Sequence, residues 1–302
     1  MQALGKYILS GRMQAIGAVS FLSTLSLLFL PLAFLFSGVP IGLLTLRKGA
    51  TQCAQLMLGS FLLMCLLSAL LKIQFAFVVM IAGCVWLPVY FCSLVLRETQ
   101  RPALMSLFAG GIALSFVVYM HLAIGDVEEW WRNLLNEALA SGLPAGTSAQ
   151  YQQAIELAPA LMNAMVASSI TMSLIITVLI ARWWQSRLFN PGGFSLEFRA
   201  FTLPRPLVFP LVLGMGLLFF EGLSFASLLR DLLIIALVLY LFQGLATVHR
   251  TVKERHLSRS WLTAMYLLLA FVPQLMVIFV AWIGMTDSLL NRRGSPPADE
   301  AG

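Results

Sequence analysis

Few charged residues of this sequence lie inside its long apolar runs, and Glu221 is the one farthest from the ends of its run. It lies in the stretch L-G-M-G-L-L-F-F-E-G-L, with glycines on both sides. A charged side chain in hydrocarbon costs about 2.5–3.5 kcal/mol or more, so it needs a partner, a proton or water. We expect Glu221 to contact a ligand, carry a proton or form a buried ion pair. The alternative is that its helix ends early and that Glu221 reaches the membrane–water interface.

Gln243 and Asp287 complete the set of candidate ligand-binding residues, because each is a polar side chain within or at the end of an apolar run. The alternative for Gln243 is a hydrogen bond to a neighbouring helix. Arg230 is the expected partner of Asp231 or of Glu221.

The sequence carries no motif of an enzyme or of a metal site. It contains no H-E-x-x-H, no Walker A loop and no G-x-S-x-G, so we expect no enzymatic activity and no cofactor. The four cysteines form no C-x-x-C pair and lie in apolar runs, so neither a disulfide framework nor a metal site is indicated.

Composition identifies the class of protein. The chain is 60% hydrophobic and 11% charged, which is too apolar for a soluble chain of 302 residues. Apolar runs of about 20 residues recur, as membrane-spanning helices require. The net charge of +6 falls in short loops between these runs, so the positive-inside rule explains it and nucleic-acid binding is not indicated.

We therefore predict an all-α polytopic membrane helical bundle of about 8–9 transmembrane helices, forming a single integral membrane domain over residues 1–290. Residues 291–302 are expected to form a disordered tail. The predicted spans are Met13–Leu30, Pro31–Leu46, Gly49–Leu71, Ile73–Leu96, Pro102–Ile124, Pro159–Ala181, Leu207–Leu229, Leu232–Val248 and Trp261–Met285.

The distribution of basic residues predicts the orientation. If Met13–Leu46 crosses twice and the N-terminus is cytoplasmic, 14 of the 19 lysines and arginines lie on the inner side. A single crossing of Met13–Leu46 would remove this bias. We expect a multi-pass protein of the bacterial inner (plasma) membrane.

Two loops stand out on opposite sides of the predicted bundle. The outer segment 125–158 is acidic, and Val127–Ala140 within it can form an amphipathic interfacial helix with Trp130 and Leu134 on its apolar side. A lid over an outward-facing pocket is the alternative for this segment.

The basic segment 182–206 lies on the predicted cytoplasmic side. Asn190-Pro191-Gly192-Gly193 predicts a tight turn with glycines at positive φ. The phenylalanines that follow are expected on the membrane surface: Phe194, Phe198 and Phe201. A second basic loop contains His249 and His256, where binding of anionic lipid headgroups is the alternative to a purely topological role.

Three stretches together resemble a known family. They are F-N-P-G-G-F-S-L-E-F-R, L-F-Q-G-L-A-T-V-H and I-G-M-T-D-S-L-L-N-R-R, and they are similar to the YybS-like bacterial membrane proteins, a family of unknown function. The resemblance marks a structural or interaction motif made of Asn190, Pro191, Gly192, Gly193, Phe198, Arg199 and His249.

A second resemblance lies in P-I-G-L-L-T-L-R-K-G-A, which is similar to the substrate-binding S components of energy-coupling-factor transporters and, distantly, to the rod-shape protein MreD. It implies a compact helical bundle with a small ligand pocket near the outer face.

Two function classes remain open. The first is a small-solute-binding or transport-related component, with the lipid bilayer and a small-molecule ligand as partners. The second is an envelope or cell-shape scaffold that performs no chemistry and recruits a membrane-protein partner or a second copy of the chain.

Overall fold

The computed structural model describes residues 2–26, 34–140, 156–220, 222–223 and 225–290. Every regular element in these ranges is a helix, as the prediction of an all-α membrane protein requires. Glu221, most of the connection after Ala140 and the tail 291–302 lie outside the described residues. So does the middle of Met13–Leu46, on which the double crossing was predicted.

The α-helices before the acidic segment are numbered in chain order. They are α1 (Gln2–Ser10), α2 (Arg12–Ser26), α3 (Val39–Lys48), α4 (Ala50–Leu70), α5 (Phe75–Ile81), α6 (Leu87–Thr99) and α7 (Pro102–Tyr119). Single π-helical turns occur at Phe34–Gly38, Ala82–Trp86 and Met120–Ile124.

The remaining α-helices follow the same numbering. They are α8 (Val127–Ala140), α9 (Pro159–Phe189), α10 (Gly193–Arg199), α11 (Val208–Leu217), α12 (Ala226–Glu254), α13 (Ser260–Phe271) and α14 (Pro273–Leu290). A short 3-10 helix, Arg205–Leu207, precedes α11.

Six helical segments in the described ranges are long and apolar enough to cross a membrane. They are Ala50–Leu70, Phe75–Thr99, Pro102–Ile124, Pro159–Phe189, Ala226–Glu254 and Pro273–Leu290. Arg205–Leu217 and Ser260–Phe271 are apolar but shorter. The structure is that of a polytopic helical membrane protein, with fewer full-length spans in these ranges than the nine crossings predicted.

The predicted span Leu207–Leu229 is wrong. Helix α11 ends at Leu217 and α12 begins at Ala226, so Leu229 and Arg230 belong to the next helix. Helix α12 then continues without interruption through the predicted boundary near Leu232. Hydropathy measures the cost of transfer into lipid, so it cannot separate an apolar helix from an apolar non-helical connection.

The predicted span Trp261–Met285 is also wrong, because it contains two helices. Val272 leaves the helical region, with φ −133° and ψ 59°, and α14 begins at Pro273. The ring of a proline disfavours the α conformation of the residue before it, and proline fits the first position of a new helix.

Contacts divide the chain into two compact units. Unit 1 comprises Met1–Ala109 and Met172–Phe198, and unit 2 comprises Gly110–Thr171 and Arg199–Gly302. In unit 1, α2 packs against α4 and α3 packs against α6. The side chains of Ile41, Leu43 and Leu44 on α3 are completely buried.

Unit 2 has its most extensive helix packing between α12 and α14. Gly244 and Gly284 allow it: a Cβ added to Gly244 would overlap the carbonyl group of Val280, and one added to Gly284 would overlap that of Tyr240. Small residues let helix backbones approach closely in membranes, where dispersion contacts replace the hydrophobic effect as the packing force.

The acidic segment begins with a helix at the predicted position, Val127–Ala140. Val127 and Trp131 pack with Met120 in a small apolar cluster of unit 2. Trp130 and Leu134, predicted on the apolar side, are 37% and 43% exposed to the surroundings of the chain.

Part of the basic segment 182–206 is helical and not a loop, because α9 extends through Arg182 and Arg187 to Phe189. The turn follows at Asn190–Gly192. Gly192 has φ 93°, whereas Gly193 is not among the glycines with positive φ and begins α10. Phe201 was predicted on the membrane surface, and this is wrong: it follows the end of α10 and is 1% exposed.

Candidate functional site

The structure brings together two of the three candidate ligand-binding residues. Gln243 of α12 donates a hydrogen bond from Nε2 to Oδ2 of Asp287 in α14, at 3.4 Å. Both side chains are buried, with exposures of 0% and 7%. The third candidate, Glu221, lies outside the described residues.

The carboxamide of Gln243 has all of its hydrogen-bonding positions filled by protein groups. Its Oε1 accepts from the backbone N–H of Leu203 at 3.0 Å and from Oγ of Ser288 at 3.1 Å. Its Nε2 donates to Oγ of Ser288 at 2.9 Å as well as to Asp287. An amide can make four hydrogen bonds, so this one has none to offer a ligand.

Asp287 forms a buried ion pair with Arg250, through Oδ1 and one guanidinium nitrogen. Arg205 lies beside it and donates to the backbone carbonyls of Ser288 at 3.1 Å and Leu289 at 3.4 Å. These carbonyls belong to the last turn of α14 and have no partner within the helix. The cluster around Gln243 and Asp287 therefore joins α12, α14 and the segment before α11, and it leaves Arg250 Nη1 as a buried donor with no partner among the described residues.

A different polar cluster lies at the opposite end of α12, and we call its members Asp231, His121 and Asn163 the Asp231 cluster. His121 Nε2 lies 2.9 Å from Asp231 Oδ2, and Asn163 Nδ2 donates to the same oxygen at 2.5 Å. Asp231 is 3% exposed and Asn163 is 4% exposed. All three residues belong to unit 2.

Three separate elements supply the Asp231 cluster. His121 lies in the π-helical turn Met120–Ile124, Asn163 lies near the start of α9, and Asp231 lies near the start of α12. The apolar layer beneath it contains Ala113, Val117, Ala167 and Ile235, which pack from the same three helical segments. This packing fixes the spacing of the helices and so the distances between the polar groups.

Asn163 has one hydrogen-bonding atom to spare. Its Oδ1 is buried and has no hydrogen-bond partner among the described residues. A buried polar atom without a partner costs about 1–3 kcal/mol. Such an atom beside a buried carboxylate gives the Asp231 cluster an unused acceptor, whereas the unpartnered atom beside Asp287 is a donor, Arg250 Nη1.

Arg230 does not pair with Asp231, one of its two expected partners, and the other, Glu221, lies outside the described residues. Its guanidinium donates to the backbone carbonyl of Ala160 at 2.9 Å. The ion pairs in the described part of the chain give Asp231 one partner, His121. The imidazole of His121 therefore occupies the position beside Asp231 that Arg230 was one candidate to fill.

Asn190 and Phe198 of the predicted interaction motif are held by local contacts in unit 1. Ser186 Oγ donates to the carbonyl of Asn190 at 2.6 Å and accepts from the N–H of Phe194 at 3.1 Å, which fixes the turn. Arg182 pairs with Glu197 through two nitrogens, at 2.8 and 2.6 Å. Phe194 and Phe198 stack with ring centroids 5.9 Å apart.

His249 belongs to unit 2 and takes part in local contacts there. Its Nδ1 lies 2.8 Å from the carbonyl of Leu245, one helical turn earlier, and its ring meets that of Tyr266 at 5.8 Å. The described residues contain no group of three or more His, Cys, Asp or Glu side chains arranged to hold a metal ion.

Comparison with known proteins gives a family and no functional relative. A family model described as "Predicted membrane protein (DUF2232)" matches residues 15–288. No curated protein matches the chain, and no solved structure matches it. The resemblances to YybS-like proteins, to S components and to MreD stay predictions.

Proposed function

The chain belongs to this family of predicted membrane proteins, and on that premise we propose that it is a small-solute-binding or transport-related component that binds its ligand at the Asp231 cluster. The proposal includes no enzymatic step. The observation that carries it is the pairing of a buried carboxylate with an imidazole, His121, at 2.9 Å.

Among the described residues of unit 2, the buried aspartates Asp231 and Asp287 differ in their partners. Asp287 is paired with Arg250, whose guanidinium remains charged at all relevant pH values, so this pair has a fixed charge state. Asp231 is paired with His121, and imidazole is the side chain that ordinarily changes its charge between about pH 5 and pH 8. Asp231 therefore lacks the permanently charged partner that Asp287 has.

Placement in a membrane span supports a functional role for Asp231. It lies inside the candidate span Ala226–Glu254 and is almost completely buried. Buried carboxylates and histidines in spans characteristically mark solute and proton pathways, because each is costly to keep in hydrocarbon. The spare acceptor on Asn163 favours a ligand that donates hydrogen bonds, such as a protonated amine.

The distribution of charged residues within unit 2 supports the membrane orientation that this proposal includes. The end with Arg250 also carries Arg205, Lys253, Arg255 and Arg259, whereas the Asp231 end carries the acidic helix α8. By the positive-inside rule, the Arg250 end faces the cytoplasm of a bacterial inner membrane and the Asp231 cluster lies near the outer face.

Native mass spectrometry of the purified full chain tests the proposal, at about pH 5 and about pH 8. We expect a retained small molecule whose occupancy differs between the two pH values. In Asp231→Asn, which conserves shape and removes the charge, the molecule should no longer be retained at either pH, while the melting temperature in detergent stays near that of the wild type.

Asp126→Asn is the matched control, since Asp126 is exposed and precedes the start of α8. It should behave as the wild type. If no molecule is retained at either pH, or if Asp231→Asn retains it as the wild type does, the Asp231 cluster is not the binding site. The scaffold interpretation, which requires no ligand, would then be favoured.

A further inference from the structure

Unit 1 contains a cavity lined mainly by charged and polar side chains, unlike the apolar surfaces around it. Its volume is about 360 Å³, and it lies where α2 begins, α3 ends and α4 begins. It is lined by Arg12, Ile16, Lys48, Gln52, Gln55 and Leu56. Two cations and two carboxamides thus face one space, with two aliphatic side chains completing its wall.

The cations of this cavity lack an acidic partner in their own unit. The sequence contains no aspartate or glutamate before Glu98. Unit 1 has two acidic residues, Glu98 and Glu197, and these pair with Arg97 and Arg182. No ion pair among the described residues includes Arg12 or Lys48. A counter-charge for the cavity must come from outside the unit.

The start of α4 adds to the positive potential. Gly49 precedes this helix and provides no side-chain cap for its first N–H groups. Uncapped N–H groups and the helix dipole both favour an anion at this position. Gln52 lies in this first turn and Gln55 one turn later, so their N–H donors can complete the contacts of a ligand with several oxygens.

We propose that this cavity binds a phosphate group, with Arg12 and Lys48 supplying the charge and Gln52 and Gln55 supplying hydrogen bonds. Ile16 and Leu56 would contact an apolar portion of the same ligand. The phosphate can belong to an anionic phospholipid headgroup or to a soluble phosphate compound, and the two sources are separated by experiment. This site is independent of the Asp231 cluster and of the function proposed for it.

The test measures thermal unfolding of the full chain in a neutral detergent. In the first arm, inorganic phosphate is titrated against chloride at the same ionic strength. In the second arm, the detergent micelles contain phosphatidylglycerol or phosphatidylcholine at the same mole fraction. We expect a saturable rise in melting temperature with phosphate, with phosphatidylglycerol or with both.

Variants locate the effect. Arg12→Gln and Lys48→Gln should each weaken the apparent affinity by roughly tenfold, the loss expected for one charge-assisted hydrogen bond. Lys6→Gln is the control, because Lys6 is exposed on α1 and does not line the cavity. Gln55→Lys adds a third cation at an exposed position and should strengthen the affinity, which tests the site even if a loss variant folds poorly.

Each outcome decides something. A response to inorganic phosphate assigns a soluble ligand, and a response to phosphatidylglycerol alone assigns a lipid headgroup. No saturable response in either arm overturns the proposal. A response that Arg12→Gln, Lys48→Gln and Gln55→Lys leave unchanged overturns it as well.

Discussion

Gly244 of α12 and Gly284 of α14 lie directly against each other: a Cβ added to Gly284 would stand 2.8 Å from the backbone nitrogen of Gly244. The atoms that exclude a larger residue are backbone atoms on both sides, so they cannot move away as a flexible side chain would. The distance between the two helices therefore depends on glycine at both positions. The same contact aligns Gln243 with Asp287 and Ser288.

Gly244→Ala should lower the free energy of unfolding by about 1–3 kcal/mol, the usual cost of overpacking, because the helices must separate. Gly111→Ala is the control, since no atom lies within 4 Å of a Cβ at that position in α7. It should be neutral or slightly stabilising, since alanine is the better helix former. Denaturant unfolding in detergent measures both variants, and equal stability of Gly244→Ala and the wild type would contradict the close approach.

Arg250→Gln should destabilise the protein by about 3–5 kcal/mol, because it leaves Asp287 as a buried charge without its partner. The side chains are 16% and 4% exposed, so solvent cannot replace the lost contact. The double variant Arg250→Gln with Asp287→Asn should recover part of the loss. Arg132→Gln removes an exposed pair with Glu128 and should change stability by no more than about 0.5 kcal/mol. Similar losses of stability in Arg250→Gln and Arg132→Gln would mean that the buried ion pair does not stabilise the fold.

Gly192→Ala should cost about 1–2 kcal/mol, because Gly192 has φ 93° and an L-residue there is strained. No atom lies within 4 Å of a Cβ at this position, so a loss of stability would come from backbone strain and not from a steric clash. Gly192→Asn should lose less, since asparagine adopts positive φ more readily. The melting temperatures of the two variants in detergent provide the comparison, and an unaffected Gly192→Ala protein would show that the turn can relax.

Orientation can be measured with single cysteines in a variant lacking the four native ones. We expect Glu129→Cys, on the exposed side of α8, to react with an impermeant maleimide in intact cells. Lys253→Cys, at the basic end of α12, should react only after the cells are permeabilised. The reverse pattern would place the Asp231 cluster on the cytoplasmic side.

Composition and the length of the apolar runs were sufficient to predict the helical membrane class. Individual helix boundaries were predicted correctly where an apolar run ends abruptly. Pro102–Ile124 is a candidate span with the predicted limits, and Val127–Ala140 is a helix with the predicted limits. Residues 218–220, 222–223 and 225 leave the helical conformation although most of them are apolar, so hydropathy alone gave the wrong limits.

The Asp231 cluster was not predicted from the sequence. Asp231 is 110 residues from His121 and 68 from Asn163 along the chain. A single sequence indicates which residues face a helix neighbour but not which helices are neighbours. Asp231 was one of the two partners expected for Arg230, yet successive residues on a helix point in different directions.

Because Met120–Ile124 forms a π-helical turn, the position of His121 depends on the number of residues in this turn. A π-turn spreads one more residue around the helix than an α-turn does, and each α-helical residue advances the angle by about 100°. Deleting one residue from this turn would let α7 continue as an ordinary helix, and the imidazole would then lose its phase relative to Asp231. An insertion or deletion here would therefore change the geometry of the Asp231 cluster without replacing any of its members.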